Sequence, residues 1–182
     1  MVYFWREKNA DKCAEKWKIV KPTREELGKE LILKVEQKLS RIDVVFNKTA
    51  RLEYYTTDKK PKKSLEGLSE KQIINLLGTR VSVDFAQLYF DFCDFYGFEK
   101  QEVKNEFENL NVSDLKIEVE KTVNDLKNGK DLVFSVQKLL MTAKQIANLC
   151  GATWKDVCFL REQKEEEEGS FFKGKYVFWD AE

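Results

Sequence analysis

Apolar residues recur at spacings of three and four along this 182-residue chain, and this period is the strongest constraint on its fold. Thr23 followed by Glu26 fits a capping box and predicts that a helix begins there. The apolar face of that helix is formed by Leu27, Leu31, Val35, Leu39, Ile42 and Phe46. Only eight glycines and two prolines interrupt the chain, which favours long helices over short strands.

The same pattern predicts more helices along the chain. Residues 69–97 read as one long helix, or as two helices broken at Gly78, because a glycine fits the left-handed position after a helix end. Further helices are expected at 99–110, 114–128 and 131–150, and a last one at 154–168 capped by Thr153. The predicted fold class is therefore an all-α helical bundle with a small C-terminal β-hairpin or extended tail.

The length fits a single domain spanning residues 1–182. Its parts are an aromatic N-terminal arm at 1–22, a helical bundle at 23–168 and an aromatic tail or hairpin at 169–182. Residues 44–128 are either an insertion or the larger part of the core. Residues 71–78 and 144–151 are identical at six of eight positions, which suggests either a duplicated helical unit or two similar amphipathic helices that each end at glycine.

Composition excludes several classes of function. The chain has no histidine, so imidazole bases, histidine metal ligands and Ser-His-Asp machinery are excluded. Its 32 basic and 32 acidic residues balance, which disfavours a general nucleic-acid binder. Four cysteines without a Cys-x-x-Cys pair, and no apolar run long enough to span a membrane, indicate reduced thiols in a cytoplasmic protein without a membrane partner.

A pattern near the carboxyl end carries a family resemblance. It consists of Gly151, Thr153, Trp154, Asp156, Val157, Leu160, Arg161, Lys164, Glu166, Glu167, Gly169, Phe171, Lys173 and Val177. The pattern resembles the final helix and tail of the all-α nucleoside triphosphate pyrophosphohydrolases, in the MazG-like group that includes phosphoribosyl-ATP pyrophosphohydrolase-type proteins. The resemblance covers about a quarter of the chain.

The resemblance implies a helical bundle that assembles as a homo-oligomer and cuts a nucleoside triphosphate between its α and β phosphates. It also implies Mg²⁺ held by two acidic pairs on facing helices, since a spacing of three places two carboxylates on one face. In this chain the four corresponding positions are Lys34, Gln37, Ser135 and Lys138, none of them acidic. The expectation is a MazG-like protein with a degenerate metal site that binds a nucleotide or a protein partner, with hydrolysis only if other acids rebuild the site.

Two sets of candidate site residues follow, and no catalytic residue is assigned. The candidate metal ligands are Asp91 and Asp94, with Asp84 two turns before them, and Glu26 and Glu30 on the first helix. Acids beside many aromatic residues are costly to bury unless they are paired or metal-bound. The candidate phosphate-binding residues are Arg161, Lys164, Lys34 and Lys138, the two last because an ammonium group can occupy the place of the metal.

Two other classes of function remain open. In a winged helix-turn-helix DNA-binding regulator, Ile146, Ala147, Val157 and Leu160 would form the kernel around Gly151, and Trp154, Lys155, Arg161 and Gln163 would face a groove. Residues 165–168, all glutamate, would repel the phosphate backbone and disfavour that interpretation. The third class is a non-catalytic adaptor or inhibitor whose interface uses Trp5, Trp17, Phe172, Tyr176 and Trp179.

Overall fold

The computed structural model describes residues 23–51, 67–100 and 110–168. This part contains five long helices and no strand, which confirms the all-α fold. The helices are α1 (Arg24–Phe46), α2 (Glu70–Tyr96), α3 (Val112–Asn128), α4 (Leu132–Cys150) and α5 (Trp154–Glu168). The predicted arm at 1–22, the tail or hairpin at 169–182 and most of the predicted helix at 99–110 lie outside the described residues.

The helix ends follow local sequence signals. Thr23 Oγ1 accepts a hydrogen bond from the Glu26 amide at 3.2 Å, and the Glu26 carboxylate accepts one from the Thr23 amide at 2.7 Å, so the predicted capping box is formed. Ser69 and Gln72 form a second capping box at the start of α2. Three helices end at glycines in the left-handed region, namely Gly97, Gly129 and Gly151.

Helices α1 to α4 form a four-helix bundle. Each helix packs extensively on two of the other three, because the contacting pairs are α1 with α2 and α3, and α4 with α2 and α3. Helices α1 and α2 run antiparallel, since Arg24 donates to the Phe95 carbonyl at 2.7 Å at one end and Arg51 pairs with Glu70 at 2.7 Å at the other. Because α1 and α4 both pack on α2 and α3, they occupy opposite corners of the bundle.

Helix α2 is the centre of the molecule. It packs on α1, on α4 and on the fifth helix, which touches α4 less. Its Phe85 and Phe92 are fully buried with Leu31 of α1 and with Leu139 and Ile146 of α4. Residues 44–128 thus include the helix that supplies much of the core.

Gly78 does not end a helix, and that alternative prediction is wrong. Helix α2 continues through it without interruption to Tyr96. A Cβ atom at Gly78 would lie 2.5 Å from both Cβ and Sγ of Cys150 on α4. The glycine therefore permits a close approach of two helices, whereas Gly151 at the matching position of the second segment does end its helix. The two similar segments play different local roles.

None of the described helices is both long enough and apolar enough to cross a membrane. The three described cysteines carry free thiols, and Cys93 and Cys150 are buried.

Candidate functional site

Helix α2 carries a stripe of polar side chains within an otherwise apolar helix. Asp84, Gln87 and Asp91 are spaced by three and four residues, so they share one face. The two aspartates are only 7% and 4% exposed. Burying a carboxylate is costly unless partners compensate, so the groups around this stripe decide what it can do.

Three cations converge on Asp84 from two helices. From α1, the Lys38 ammonium lies 3.0 Å and the Arg41 guanidinium 3.3 Å from Asp84 Oδ2. From α5, the Lys164 ammonium lies 3.1 Å from Asp84 Oδ1. We call Lys38, Arg41, Asp84 and Lys164 the cation cluster. One carboxylate faces three cations, which leaves an excess of two positive charges.

The cation cluster is open to solvent on its positive side. The side chains of Arg41 and Lys164 are 56% and 41% exposed, whereas Lys38 is 22% exposed. The buried Asp84 therefore forms the floor of the cluster, and two charged groups with spare donors reach water above it. Such an arrangement attracts anions, in particular those with several oxygen acceptors.

Arg161 lies beside this cluster but is already engaged. Its guanidinium stands 4.0 Å from the centroid of the Phe90 ring, a cation–π contact. It also donates to Glu165 at 2.7 Å and to Gln87 Oε1 at 3.5 Å, and its side chain is only 12% exposed. Arg161 thus fastens α5 to α2.

Asp91 is the second buried acid of the stripe. Gln87 Nε2 donates to its Oδ1 at 3.1 Å. Burial raises the pKa of Asp91 to about 6, although the Gln87 hydrogen bond and the charge of Lys34 act in the opposite direction. Asp94 and Glu165 add smaller upward contributions to this pKa through charge repulsion.

The structure brings three of the four predicted phosphate-binding residues to this face. Lys164 belongs to the cation cluster, Arg161 lies beside it, and Lys34 acts on Asp91 from α1. The fourth, Lys138, lies elsewhere: it pairs with Glu118 of α3 at 3.6 Å and stands 5.0 Å from the centroid of the Phe134 ring.

Sequence reasoning missed Lys38 and Arg41. The signal was present, because these residues follow Lys34 by four and seven positions and so share its face of α1. What the sequence did not reveal is that α5 would bring Lys164 to the same carboxylate as this row.

The predicted metal ligands are not assembled. The Glu26 carboxylate serves the capping box, and Asp94 pairs with Lys100 at 2.9 Å. In the part of the chain that the structure describes, which includes Asp91 and Glu30, no group of three or more acidic, cysteine or histidine side chains could hold a metal ion.

The positions that the family resemblance implies for Mg²⁺ do not suit that ion either. Lys34 and Lys138 offer ammonium groups, which cannot ligate a cation. Ser135 is buried and donates its hydroxyl to the Lys130 carbonyl at 3.0 Å, and Gln37 is exposed on α1.

The helix-turn-helix kernel is formed only in part. Ile146, Ala147 and Val157 are buried, but Leu160 is 41% exposed, so its predicted place in the kernel is wrong. Arg161 turns toward α2 and not toward a groove. The exposed side of α5 carries Glu162, Glu166 and Glu167, which would repel a nucleic-acid backbone.

An open hollow of about 420 Å³ lies at the start of α4. It is lined by Asp131, Leu132, Val133, Phe134 and Gln137, none of which is a cation.

No family model, curated protein or solved structure matches this chain. The fold and the cation cluster define it as an all-α bundle with a partly buried, positively charged polar face. Its function has to be inferred from those side chains.

Proposed function

We propose that this protein binds a small polyanion of the nucleotide polyphosphate class at the cation cluster, without the metal-dependent hydrolysis of the pyrophosphohydrolases. The observation that carries the proposal is the convergence of Lys38, Arg41 and Lys164 on one buried carboxylate. Three cations from two helices provide more positive charge than Asp84 neutralises, and a phosphate group supplies the missing negative charge.

Asp84 also prepares the cluster for a ligand. Lysine and arginine side chains lose conformational entropy when a ligand fixes them, and this loss weakens binding. The buried carboxylate already holds all three side chains near one point, so part of that entropy is lost on folding and not on binding. The arginine can grip two phosphate oxygens at once, and the two lysines act as point charges.

The family resemblance supports the same class of ligand. In that family the last helix carries basic residues at the positions of Arg161 and Lys164, and its ligand is a nucleoside triphosphate. The acids that would hold the catalytic metal are replaced by Lys34, Gln37, Ser135 and Lys138, so the proposal retains the ligand and omits the hydrolysis.

The test is calorimetric titration with tripolyphosphate, ATP and adenosine, all in EDTA. We expect tripolyphosphate and ATP to bind and adenosine to bind poorly, because phosphate oxygens supply the recognition. Arg41→Gln and Lys164→Gln should each weaken binding by about tenfold, the loss expected for one charge-assisted hydrogen bond. Equal affinity in these variants and the wild type would contradict the proposal.

Lys116→Gln is the matched control. Lys116 also pairs with one carboxylate across two helices, Asp43 at 2.6 Å, but it lies outside the cation cluster. Its loss removes the same charge from the protein, so a similar loss of affinity in this variant would indicate a general electrostatic effect.

Contact with a protein partner is a second candidate function, favoured by an exposed apolar pair on α5. Phe159 and Leu160 are 59% and 41% exposed and adjacent in sequence. Large apolar side chains are common anchors of interfaces. Sedimentation over a range of concentrations tests the predicted homo-oligomer: self-association that is unchanged in Phe159→Ser would show that this pair does not mediate it.

A further inference from the structure

Asp91 is a buried carboxyl group. Phosphate binding at the cation cluster does not explain why it is there. It follows Asp84 by seven residues on the same face of α2, which places it about 10 Å further along the helix axis. It is 4% exposed and accepts a hydrogen bond from Gln87. It is therefore close enough to influence an anion at the cluster without being part of the cluster.

The charges that act on Asp91 come from three helices. Lys34 of α1 favours its ionised form, whereas Asp94 of α2 and Glu165 of α5 oppose it. Gln87 connects Asp91 to α5, because its Nε2 donates to Asp91 at 3.1 Å and its Oε1 accepts from Arg161 at 3.5 Å. A change of charge at Asp91 therefore acts on side chains of α1 and α5, the two helices that supply the cations of the cluster.

We propose that anion binding at the cation cluster is coupled to protonation of Asp91, so that the protein holds its ligand more tightly at mildly acidic pH. The coupling rests on the proposed function, since it concerns the same cluster. When the carboxylate takes a proton from solvent, a negative charge about 10 Å along α2 from Asp84, the floor of the cation cluster, disappears. Protonation also removes the attraction between Asp91 and Lys34, so Asp91 no longer offsets the charge of Lys34 at this face.

Two observations indicate that this coupling can be measured in a mildly acidic pH range. Burial brings the pKa of Asp91 to about 6, so the group changes charge under mild conditions. The chain has no histidine, so no imidazole titrates in the same range. Because the effects of two ligands on each other are reciprocal, an anion that binds better to the protonated form must also promote proton uptake.

Sulfate is the probe for this coupling, because it stays fully ionised between pH 5 and 8 and its own charge cannot cause a pH dependence. Affinity is measured in EDTA for the wild type, for Asp91→Asn and for Glu162→Gln, which removes an exposed acid from α5. We expect wild-type affinity to rise about threefold to tenfold from pH 7.5 to 5.5, as two charges about 10 Å apart in a partly buried setting would give.

Asp91→Asn should bind sulfate at all pH values about as tightly as the acidic wild type, and Glu162→Gln should follow the wild type. Calorimetry of the wild type in buffers of different ionisation enthalpy should show proton uptake on binding near pH 6.5, which needs no variant. A pH-independent wild-type affinity, or a pH dependence retained in Asp91→Asn, would overturn the coupling alone. Absence of sulfate binding at every pH would overturn the coupling, and absence of tripolyphosphate binding as well would overturn the proposed function.

Discussion

The negative charge of Asp84 stabilises the fold and preorganises the three cations, but it also repels an anion bound above them. Its carboxylate pairs with Lys38, Arg41 and Lys164, which joins α5 to α1 across α2. The same negative charge lies under the place where a phosphate would bind. One substitution at Asp84 can separate its effect on folding from its effect on binding.

Asp84→Asn is expected to weaken the fold and strengthen anion binding. The asparagine keeps the shape but leaves three cations without a carboxylate, which should lower the free energy of unfolding by about 1–3 kcal/mol. Affinity for tripolyphosphate should rise severalfold, because the growth of the excess charge from two to three outweighs the preorganisation that is lost with the carboxylate. Urea unfolding and calorimetry measure the two effects. Asp43→Asn, which removes a half-exposed partner of Lys116, should leave affinity unchanged.

The raised pKa of Asp91 predicts how stability depends on pH. The folded-state pKa of about 6 lies above the ordinary aspartate value of 3.8, so the folded protein retains a proton that the unfolded chain releases. Asp91 therefore costs nothing below pH 4, and its burial becomes destabilising as the pH rises from about 4 to above 6. The full effect is on the order of 3 kcal/mol.

Asp91→Asn isolates this contribution. The free energy of unfolding of the variant, relative to that of the wild type, should increase between pH 4 and pH 7 by up to about 3 kcal/mol. Urea unfolding at several pH values measures it, with Glu162→Gln as the control that keeps the wild-type pH profile. A constant difference between Asp91→Asn and the wild type across this range would contradict the assignment.

At the level of single residues, the sequence predicted capping and charge better than pairing. Thr23 and Glu26 lie three residues apart and bond to each other's backbone, so the local sequence is enough to predict these hydrogen bonds. The partners of Asp84 lie 43 to 80 positions away in the chain, and only the packing of α1 and α5 against α2 identifies them. The partners of two predicted metal ligands also depend on the fold or the helix end, since Asp94 pairs with Lys100 and Glu26 accepts from the Thr23 amide.

At the level of helices, Gly78 shows what a local pattern cannot decide. Residues 71–78 and 144–151 have nearly the same letters, yet one glycine lies inside α2 and the other ends α4. Within α2, position 78 requires a glycine because Cys150 packs against it and leaves no space for a side chain. The contact between Gly78 and Cys150 depends on how α2 and α4 pack, so it cannot be predicted from the local sequence.

Gly78→Ala should therefore destabilise the pair α2 and α4. Alanine favours the helix by about 1 kcal/mol, but its Cβ would overlap Cys150, and crowding a packed core typically costs 1–3 kcal/mol. We expect a net loss of about 1–2 kcal/mol in the free energy of unfolding, measured by thermal or urea unfolding.

Gly28→Ala is the matched control for this substitution. A Cβ there would meet the Phe95 ring edge at 3.1 Å, and that half-buried ring can move, so the change should be near neutral. Equal losses in the two variants would contradict the close contact between α2 and α4.

At the level of the whole molecule, the order of the helices limits which residues can act together. Helices α1 and α4 lie at opposite corners of the bundle, so Lys34 and Lys138, which the resemblance places on facing helices, have different neighbours. The periodicity predicted the helices but not this arrangement, because several packing orders bury the same apolar faces. The arrangement is what gathers α1, α2 and α5 around Asp84.

The most direct test of the account is an NMR titration of the ¹⁵N-labelled protein with tripolyphosphate in EDTA. Binding at the cation cluster predicts that the largest amide shifts follow Lys38 and Arg41 on α1, Asp84 on α2 and Lys164 on α5, with little change around Phe134 at the hollow of α4. The absence of saturable shifts at millimolar ligand, or their concentration at the start of α4, would contradict the proposed anion site.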